Sequence, residues 1–226
     1  MDIFERLTTL GKKPVIAQIG GFRPEASIIS SFGGDFYLHE SDNWPSDQDG
    51  FMIPIIQIYV PEVPEGRKRF GDKRLIQVYL NSEKLPVDYA KNGEGWLLRE
   101  YDSIEGMRKM KTPSECKQVK SFQIKWSEAG TPDFPCWEQS WDYLDMSEIN
   151  ESDELSDRFF NEFDRYFFTK IGGFPSYIQS PCLGDLDYIF QISSEEKPGF
   201  MIADNGKLYI AKSKDDGQWY LAWDSY

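Results

Sequence analysis

Short apolar runs, each closed by glycine, proline, asparagine or aspartate, fill most of this chain. Val15-Ile16-Ala17-Gln18-Ile19 is β-branched and stops at Gly20-Gly21, the pattern of a strand ended by a turn. Further strands are predicted at Ser27–Ser30, Ile53–Val60, Leu75–Leu80, Trp96–Arg99 and Ser121–Trp126. Pro54 stands at the opening of its run, where a missing N–H costs least. Toward the C-terminus the pattern resumes with Asp187–Ile192, Phe200–Ala203, Lys207–Ala211 and Gln218–Trp223. Asp204-Asn205-Gly206 and Asp215-Asp216-Gly217 suit positive φ and predict hairpin turns, so the last three runs are expected to form an antiparallel meander.

Two segments break this rhythm. Ile3, Phe4, Leu7 and Leu10 have the spacing of a short amphipathic helix. From residue 152 to 169, Leu155, Phe159, Phe163, Tyr166 and Phe167 recur at helical spacing, and Phe160 widens the stripe. Ser152 is the expected N-cap, with Asp153 and Glu154 in the first turn facing the positive end of the helix dipole. The aromatics of this helix are expected to be core, not a ligand cage.

The two β-regions share an order. Phe32-Gly33-Gly34 and Ile171-Gly172-Gly173 are each followed by an apolar run around a glutamine, Ile55-Ile56-Gln57-Ile58 and Ile189-Phe190-Gln191-Ile192. A glycine turn and another strand follow each, Gly66 before Leu75–Leu80 and Gly206 before Leu208–Ile210. This order predicts an internal duplication, with pseudo-repeats at roughly 15–100 and 170–226. The expected fold is α+β: a single domain over residues 1–226, with duplicated, mostly antiparallel sheet regions and a few packed helices.

Charge alters the picture of what such a domain binds. With 25 basic and 38 acidic residues the chain carries −13, which disfavours direct contact with nucleic acid or anionic lipid and favours a basic protein. No apolar run approaches the ~18 residues of a membrane helix, and Met1-Asp2-Ile3-Phe4-Glu5-Arg6 lacks the form of a signal peptide. Cys116, Cys136 and Cys182 form an odd, scattered set, read as core thiols of a reducing cytoplasm. With His39 the sole histidine, no zinc site or other metal or cofactor site is expected.

Motifs for catalysis are missing: there is no G-x-S-x-G elbow, no phosphate-binding P-loop and no H-E-x-x-H. A dyad of His39 with a cysteine has no support in spacing. One segment does stand out. Between Trp137 and Asp157 the chain holds Glu138, Asp142, Asp145, Glu148, Glu151, Asp153, Glu154 and Asp157 and no basic residue. A helix there places Trp137 and Trp141 on one face, with Glu138 and Asp142 beside them. Tryptophan and tyrosine often dominate interface energy, and surrounding carboxylates select a basic partner. Trp137, Glu138, Trp141, Asp142, Tyr143 and Asp145 are therefore the candidate partner-binding residues. The competing reading puts both tryptophans in the core and makes the acids a solvated rim.

The order of these motifs resembles a YwqG-like bacterial domain of unknown function. The likeness rests on Arg23-Pro24-Glu25-Ala26-Ser27-Ile28, Ser31-Phe32-Gly33-Gly34, Trp44-Pro45 and Ile55-Ile56-Gln57-Ile58. It continues in Lys170-Ile171-Gly172-Gly173-Phe174-Pro175, Phe190-Gln191-Ile192 and Asp204-Asn205-Gly206. Asp35-Phe36-Tyr37 departs from the Gly-Gly-x-Pro continuation of that pattern. The resemblance implies a duplicated α+β fold with no catalytic residues to carry over. It also implies, through relatives associated with polymorphic toxin loci, an immunity protein. The expected function is thus a binding protein, not an enzyme: a cytoplasmic inhibitor that occludes a cognate toxin domain, a basic nuclease being the expected kind. The alternative is a hydrolase or small-ligand binder using a cleft between the repeats, around Tyr37 and His39.

Overall fold

The computed structural model describes residues 2–20, 28–163 and 165–226. Asp2 opens the first helix, α1 (Ile3–Thr9), through a capping box: its carboxylate accepts the Glu5 N–H at 2.7 Å and the Glu5 carboxylate accepts the Asp2 N–H at 2.9 Å. Ile3, Phe4 and Leu7 make the buried stripe of this helix.

The strands follow as β1 (Val15–Ile19), β2 (Ser31–Phe32), β3 (Phe36–His39), β4 (Ser46–Asp47), β5 (Gly50–Phe51) and β6 (Ile53–Tyr59). After α2 (Gly66–Phe70) come β7 (Leu75–Leu80), β8 (Ala90–Lys91), β9 (Trp96–Tyr101), β10 (Met107–Met110) and β11 (Phe122–Glu128). Three helices, α3 (Trp137–Ser140), α4 (Ser147–Asn150) and α5 (Asp153–Glu162), precede β12 (Lys170–Ile171), β13 (Asp187–Ser193), β14 (Lys207–Lys212) and β15 (Trp219–Asp224).

Among the described residues, eleven strands form one antiparallel sheet in the order β8-β15-β14-β13-β12-β1-β11-β2-β6-β7-β9. Its centre is the β1–β11 pair. Outward from it run two wings of the same design, β2-β6-β7-β9 and β12-β13-β14-β15. The matching extends to single hydrogen bonds. Both β6 and β13 carry a bulge, between Pro54 and Ile56 and between Tyr188 and Phe190. The first glycine of each Gly-Gly pair donates its N–H to the bulged carbonyl, Gly33 to Ile55 and Gly172 to Ile189, both at 2.8 Å.

The glutamine two residues beyond each bulge then clamps the loop in the same way. Gln57 Oε1 accepts the Tyr37 N–H and Gln191 Oε1 accepts the Ser176 N–H, each at 3.0 Å. Their Nε2 groups donate to Ile29 O at 2.9 Å and Phe168 O at 2.8 Å. All four glycines of the two pairs have positive φ. At Gly33 a Cβ would also collide with the Val119 carbonyl and at Gly173 with the buried Asp133 carboxylate, so glycine is required there.

The sheet curls until its wings share one core. Ile58, Val78 and Leu98 of the first wing lie in the same buried cluster as Phe190, Leu208 and Leu221 of the second. Across the seam the rings of Phe32 and Phe200 stand 5.8 Å apart, and those of Phe70 and Phe190 6.0 Å. One residue closes the curl. The Asn92 N–H donates to Trp219 O on β15, while its side chain accepts the Leu98 N–H (2.7 Å) and donates to Leu98 O (2.9 Å) on β9. Lys212 and Glu100 pair across the same junction at 3.6 Å.

Several expectations are corrected here. Ile28–Ser30 carry no strand, which begins at Ser31, and Ser27 lies outside the described residues, as do Gly21 and the Arg23-Pro24 segment. Phe200–Ala203 is not a strand either. Phe200 makes an isolated bridge to Glu195, and Ala203 and Asn205 turn the chain at positive φ, so the meander is β13-β14-β15. The helix starting at Ser152 ends at Glu162, not near residue 169. Beyond it the carbonyls of Tyr166, Phe167 and Phe168 are taken by Ser176, Ser193 and Gln191 side chains. Those bonds are unavailable to a helix, and they win over helical periodicity.

Candidate functional site

The helices α3, α4 and α5 form a corner that packs on α1 and is bolted to the sheet by one carboxylate. Asp133 is fully buried and accepts from Lys170 Nζ (2.6 Å), the Phe174 N–H (2.8 Å) and the Tyr166 N–H (3.2 Å). Lys170, equally buried, also donates to Ser176 Oγ at 2.7 Å. Burial pulls its ammonium down to about 8, against the opposing attraction of Asp133.

From this anchor the chain turns through Cys136, the N-cap of the single-turn helix α3, and Ser140 returns a hydrogen bond to Cys136 O. Asp145 Oδ1 accepts from Ser147 N and Oγ, which holds its carboxyl below the usual range and starts α4. Ser152 Oγ caps α5 at the Leu155 N–H. Beneath, Met146, Ile149, Phe159 and Phe163 pack with Phe4, Leu7 and Phe134.

The corner divides the candidate residues. Trp137 is half-buried, edge-on to Phe159 at 5.2 Å and against Phe160 at 6.0 Å. Four residues on, Trp141 meets it edge-on at 6.1 Å, as the helical spacing predicted, but is itself 43% exposed. Tyr143 is 46% exposed with its ring against Phe174, and its phenol is raised by burial and by the charge of Asp142. Glu138, Asp142 and Asp145 are exposed. So are Glu148, Glu151, Asp153, Glu154 and Asp157, and none of these eight carboxylates is ion-paired among the described residues. Eight of the chain's 38 acidic residues therefore sit on one corner, in a stretch, 137–157, that holds no basic residue.

Two hollows flank it. One, of about 490 Å³, lies between Asp142, Tyr143, Phe174, Asp187 and Lys12, whose amine rests 4.1 Å above the Phe174 ring. The other, of about 330 Å³, runs between Trp137, Phe160, Phe167, Tyr177 and Tyr226. Phe160 and Phe167, expected in the core, are 58% and 39% exposed on its rim. Sequence reasoning missed this hollow because it assigned both rings to one helical stripe.

The residues weighed for chemistry lie elsewhere. His39 is on β3, edge-on to Tyr101 at 5.6 Å. The Cys116 S–H donates to the carbonyls of Phe51 and Met52, and burial pushes the Cys136 thiol up to about 11 and the Cys182 thiol to about 12. Such thiols are not nucleophiles at neutral pH. Between the wings the space is filled by core. An opening of about 160 Å³ lies there among Ile53, Leu80, Lys117 and Phe200, and neither Tyr37 nor His39 lines it. No group of three or more potential metal-ligating side chains occurs among the described residues, and no helix is long and apolar enough to cross a membrane.

Comparison with curated proteins gives no match. A family model does match, over residues 30–218, a span that takes in the first wing, the helical corner and β12 to β14 of the second wing. The chain belongs to the family described as Domain of unknown function (DUF1963).

Proposed function

We propose that this protein works by binding: it is an immunity protein of the bacterial cytoplasm that captures a basic toxin domain, of the nuclease kind, and covers its working surface. One observation carries the reading. Trp141 and Tyr143 stand about half exposed in the midst of eight exposed carboxylates, on a corner that Asp133 and Lys170 tie to the sheet. Exposed aromatics on a fixed base bury at low entropic cost, and the carboxylates around them speed encounter with a positive surface and reject a negative one. The resemblance to domains found at toxin loci supports the choice of partner.

The test is protection and binding together, with the toxin domain encoded beside this gene. Co-expression is expected to rescue growth, and a gene neighbourhood with no toxin counts against the reading. Trp141→Ala is expected to cost about 2–4 kcal/mol of affinity. Asp142→Lys is expected to slow association, with an effect that shrinks as salt rises. If both variants are folded by circular dichroism yet bind and protect like the parent, the corner is scaffold and the proposal fails.

A further inference from the structure

Two lysines are buried among the described residues, and they are served differently. Lys170 has the Asp133 carboxylate and the Ser176 hydroxyl. Lys207 is 4% exposed, and its ammonium makes no hydrogen bond or ion pair among the described residues. It meets instead the ring of Phe167, 4.9 Å from the ring centre. Arg165, likewise without an ion pair among the described residues, stands 5.1 Å from the same centre. Buried charges are as a rule matched by a counter-charge, and the face of a ring supplies only part of one.

Both cations adjoin the hollow beyond Trp137. Arg165 and Phe167 line it, and Lys207 borders it through the Phe167 ring and through Asp224, its neighbour in the β14–β15 ladder. Asp224 is engaged by donors of its own. One oxygen accepts the N–H groups of Ile178 (2.7 Å) and Gln179 (3.2 Å), both lining residues, and the other accepts the Tyr209 hydroxyl at 2.7 Å. Glu138, the acid of the lining, is exposed on α3. Burial pulls the Lys207 ammonium down to about 8, with Asp224 opposing and the charge of Arg165 adding to the fall. Two like charges at one ring repel, and an anion between them relieves the repulsion and the desolvation together. Size then narrows the ligand. An apolar cavity of ~150 Å³ seats one benzene, so about 330 Å³ takes a ring with a short arm.

We infer that this cleft is a binding site for a small organic carboxylate, whose acid group meets Arg165 and Lys207 and whose apolar body lies against Trp137 and Phe160. The site goes beyond the capture of a basic protein: its charge has the opposite sign, and neither depends on the other. Lys207 costs the empty fold stability, and a bound carboxylate returns it by favouring the folded state.

Isothermal titration calorimetry of the whole protein at neutral pH and low salt tests it with hydrocinnamate, its neutral amide and inorganic phosphate. Hydrocinnamate is expected to bind at least about tenfold more tightly than the amide, the margin of a charge-assisted hydrogen bond. Lys207→Met is expected to erase that difference and to raise the melting temperature, because a buried charge without a partner goes with it. The opposite signs separate a ligand-binding lysine from a structural one, whose loss lowers binding and stability together. Arg165→Gln, at a half-buried position, is expected to narrow the difference, with far-UV circular dichroism matching the parent.

Equal binding of hydrocinnamate and its amide overturns the inference, as does hydrocinnamate binding that survives both variants. No binding of hydrocinnamate at millimolar concentration overturns it too. Phosphate binding as tightly as hydrocinnamate makes the cleft a plain oxyanion site, and the organic carboxylate falls. Each of these outcomes leaves the acidic corner's capture of a basic protein standing.

Discussion

The two wings of the sheet place the same backbone around different chemistry. Register makes Ser31 the counterpart of Lys170, since each pairs with the clamping glutamine of its wing, and makes Gln77 the counterpart of Tyr209. In the first wing the loop carbonyl of Tyr37 is taken by Gln77 Nε2 at 2.6 Å. In the second wing the corresponding carbonyl, Ser176 O, is taken by Tyr209 Oη at 3.0 Å. The requirement that the loop carbonyl be satisfied is common to both, and the group that meets it is not. The first wing meets its needs with neutral amides. The second adds a buried ion pair, and that is the wing on which the helical corner sits. The two wings thus share a hydrogen-bond skeleton, and the second carries in addition the buried ion pair beneath the helical corner.

Removing that charge is the most severe way to break the comparison. Asp133→Ala leaves Lys170 buried without its partner and is expected to cost about 3–5 kcal/mol in urea unfolding. Adding Lys170→Met is expected to recover a large part of the loss, because the uncompensated charge goes with it. A single variant within 1 kcal/mol of the parent, on the order of the scatter for surface changes, shows that the corner is held by packing alone.

The glutamine clamps test the likeness itself. Gln57→Leu and Gln191→Leu each strand one buried N–H and one carbonyl, and each is expected to cost about 2–3 kcal/mol. Equal losses are the signature of equivalent roles. A loss confined to one variant means the second clamp is redundant in its wing.

The gentlest probe is pH. Lys207, nearly buried on β14, is pulled down to about 8 by desolvation, with Asp224 opposing, while the position matching it in the first wing is Leu75. Between pH 8 and its ordinary value of 10.5 the unfolded chain holds a proton that the folded chain has released, so this group makes stability rise with pH across that window. Below pH 8 its full cost is present. Lys207→Met is expected to gain about 1–2 kcal/mol at pH 7 and to flatten the rise measured up to pH 9.5. Lys170 and Lys12, shifted the same way, add to the slope that remains, while the raised Cys136 and Cys182 thiols oppose it from about pH 9 upward. An unchanged profile means that Lys207 stays hydrated in the folded protein.

Much of the sheet was readable because its strands are long, β-branched and closed by turn residues. Val15–Ile19 and Leu75–Leu80 agree with the structure to the residue. The Gly-Gly and glutamine order was readable as a repeat because each element of it makes a bond that the loop depends on. What was not readable is short or distant. A two-residue strand such as Lys170–Ile171 has no period. Asp133 and Lys170 are joined by a contact across 37 positions, and nothing local marks either as a partner. The acidic-aromatic segment was visible as composition, and the i, i+4 contact of Trp137 and Trp141 follows from spacing. Which of the two rings faces water depended on Phe159 and Phe160, and so on tertiary packing.

Asn92 has a consequence for how another chain meets this one. A sheet of this length has two outer strands, and an outer strand normally offers a row of free N–H and C=O groups on which a foreign segment can extend the ladder. Here Leu98 on β9 is occupied by the Asn92 amide, Trp96 O takes the Gly93 N–H at 2.9 Å, and the Asn92 backbone is spent on Trp219. The loop joining β8 to β9 therefore works as a stopper between the ends of the sheet. Strand addition has no entry at that junction, and self-templated stacking is blocked there for the same reason.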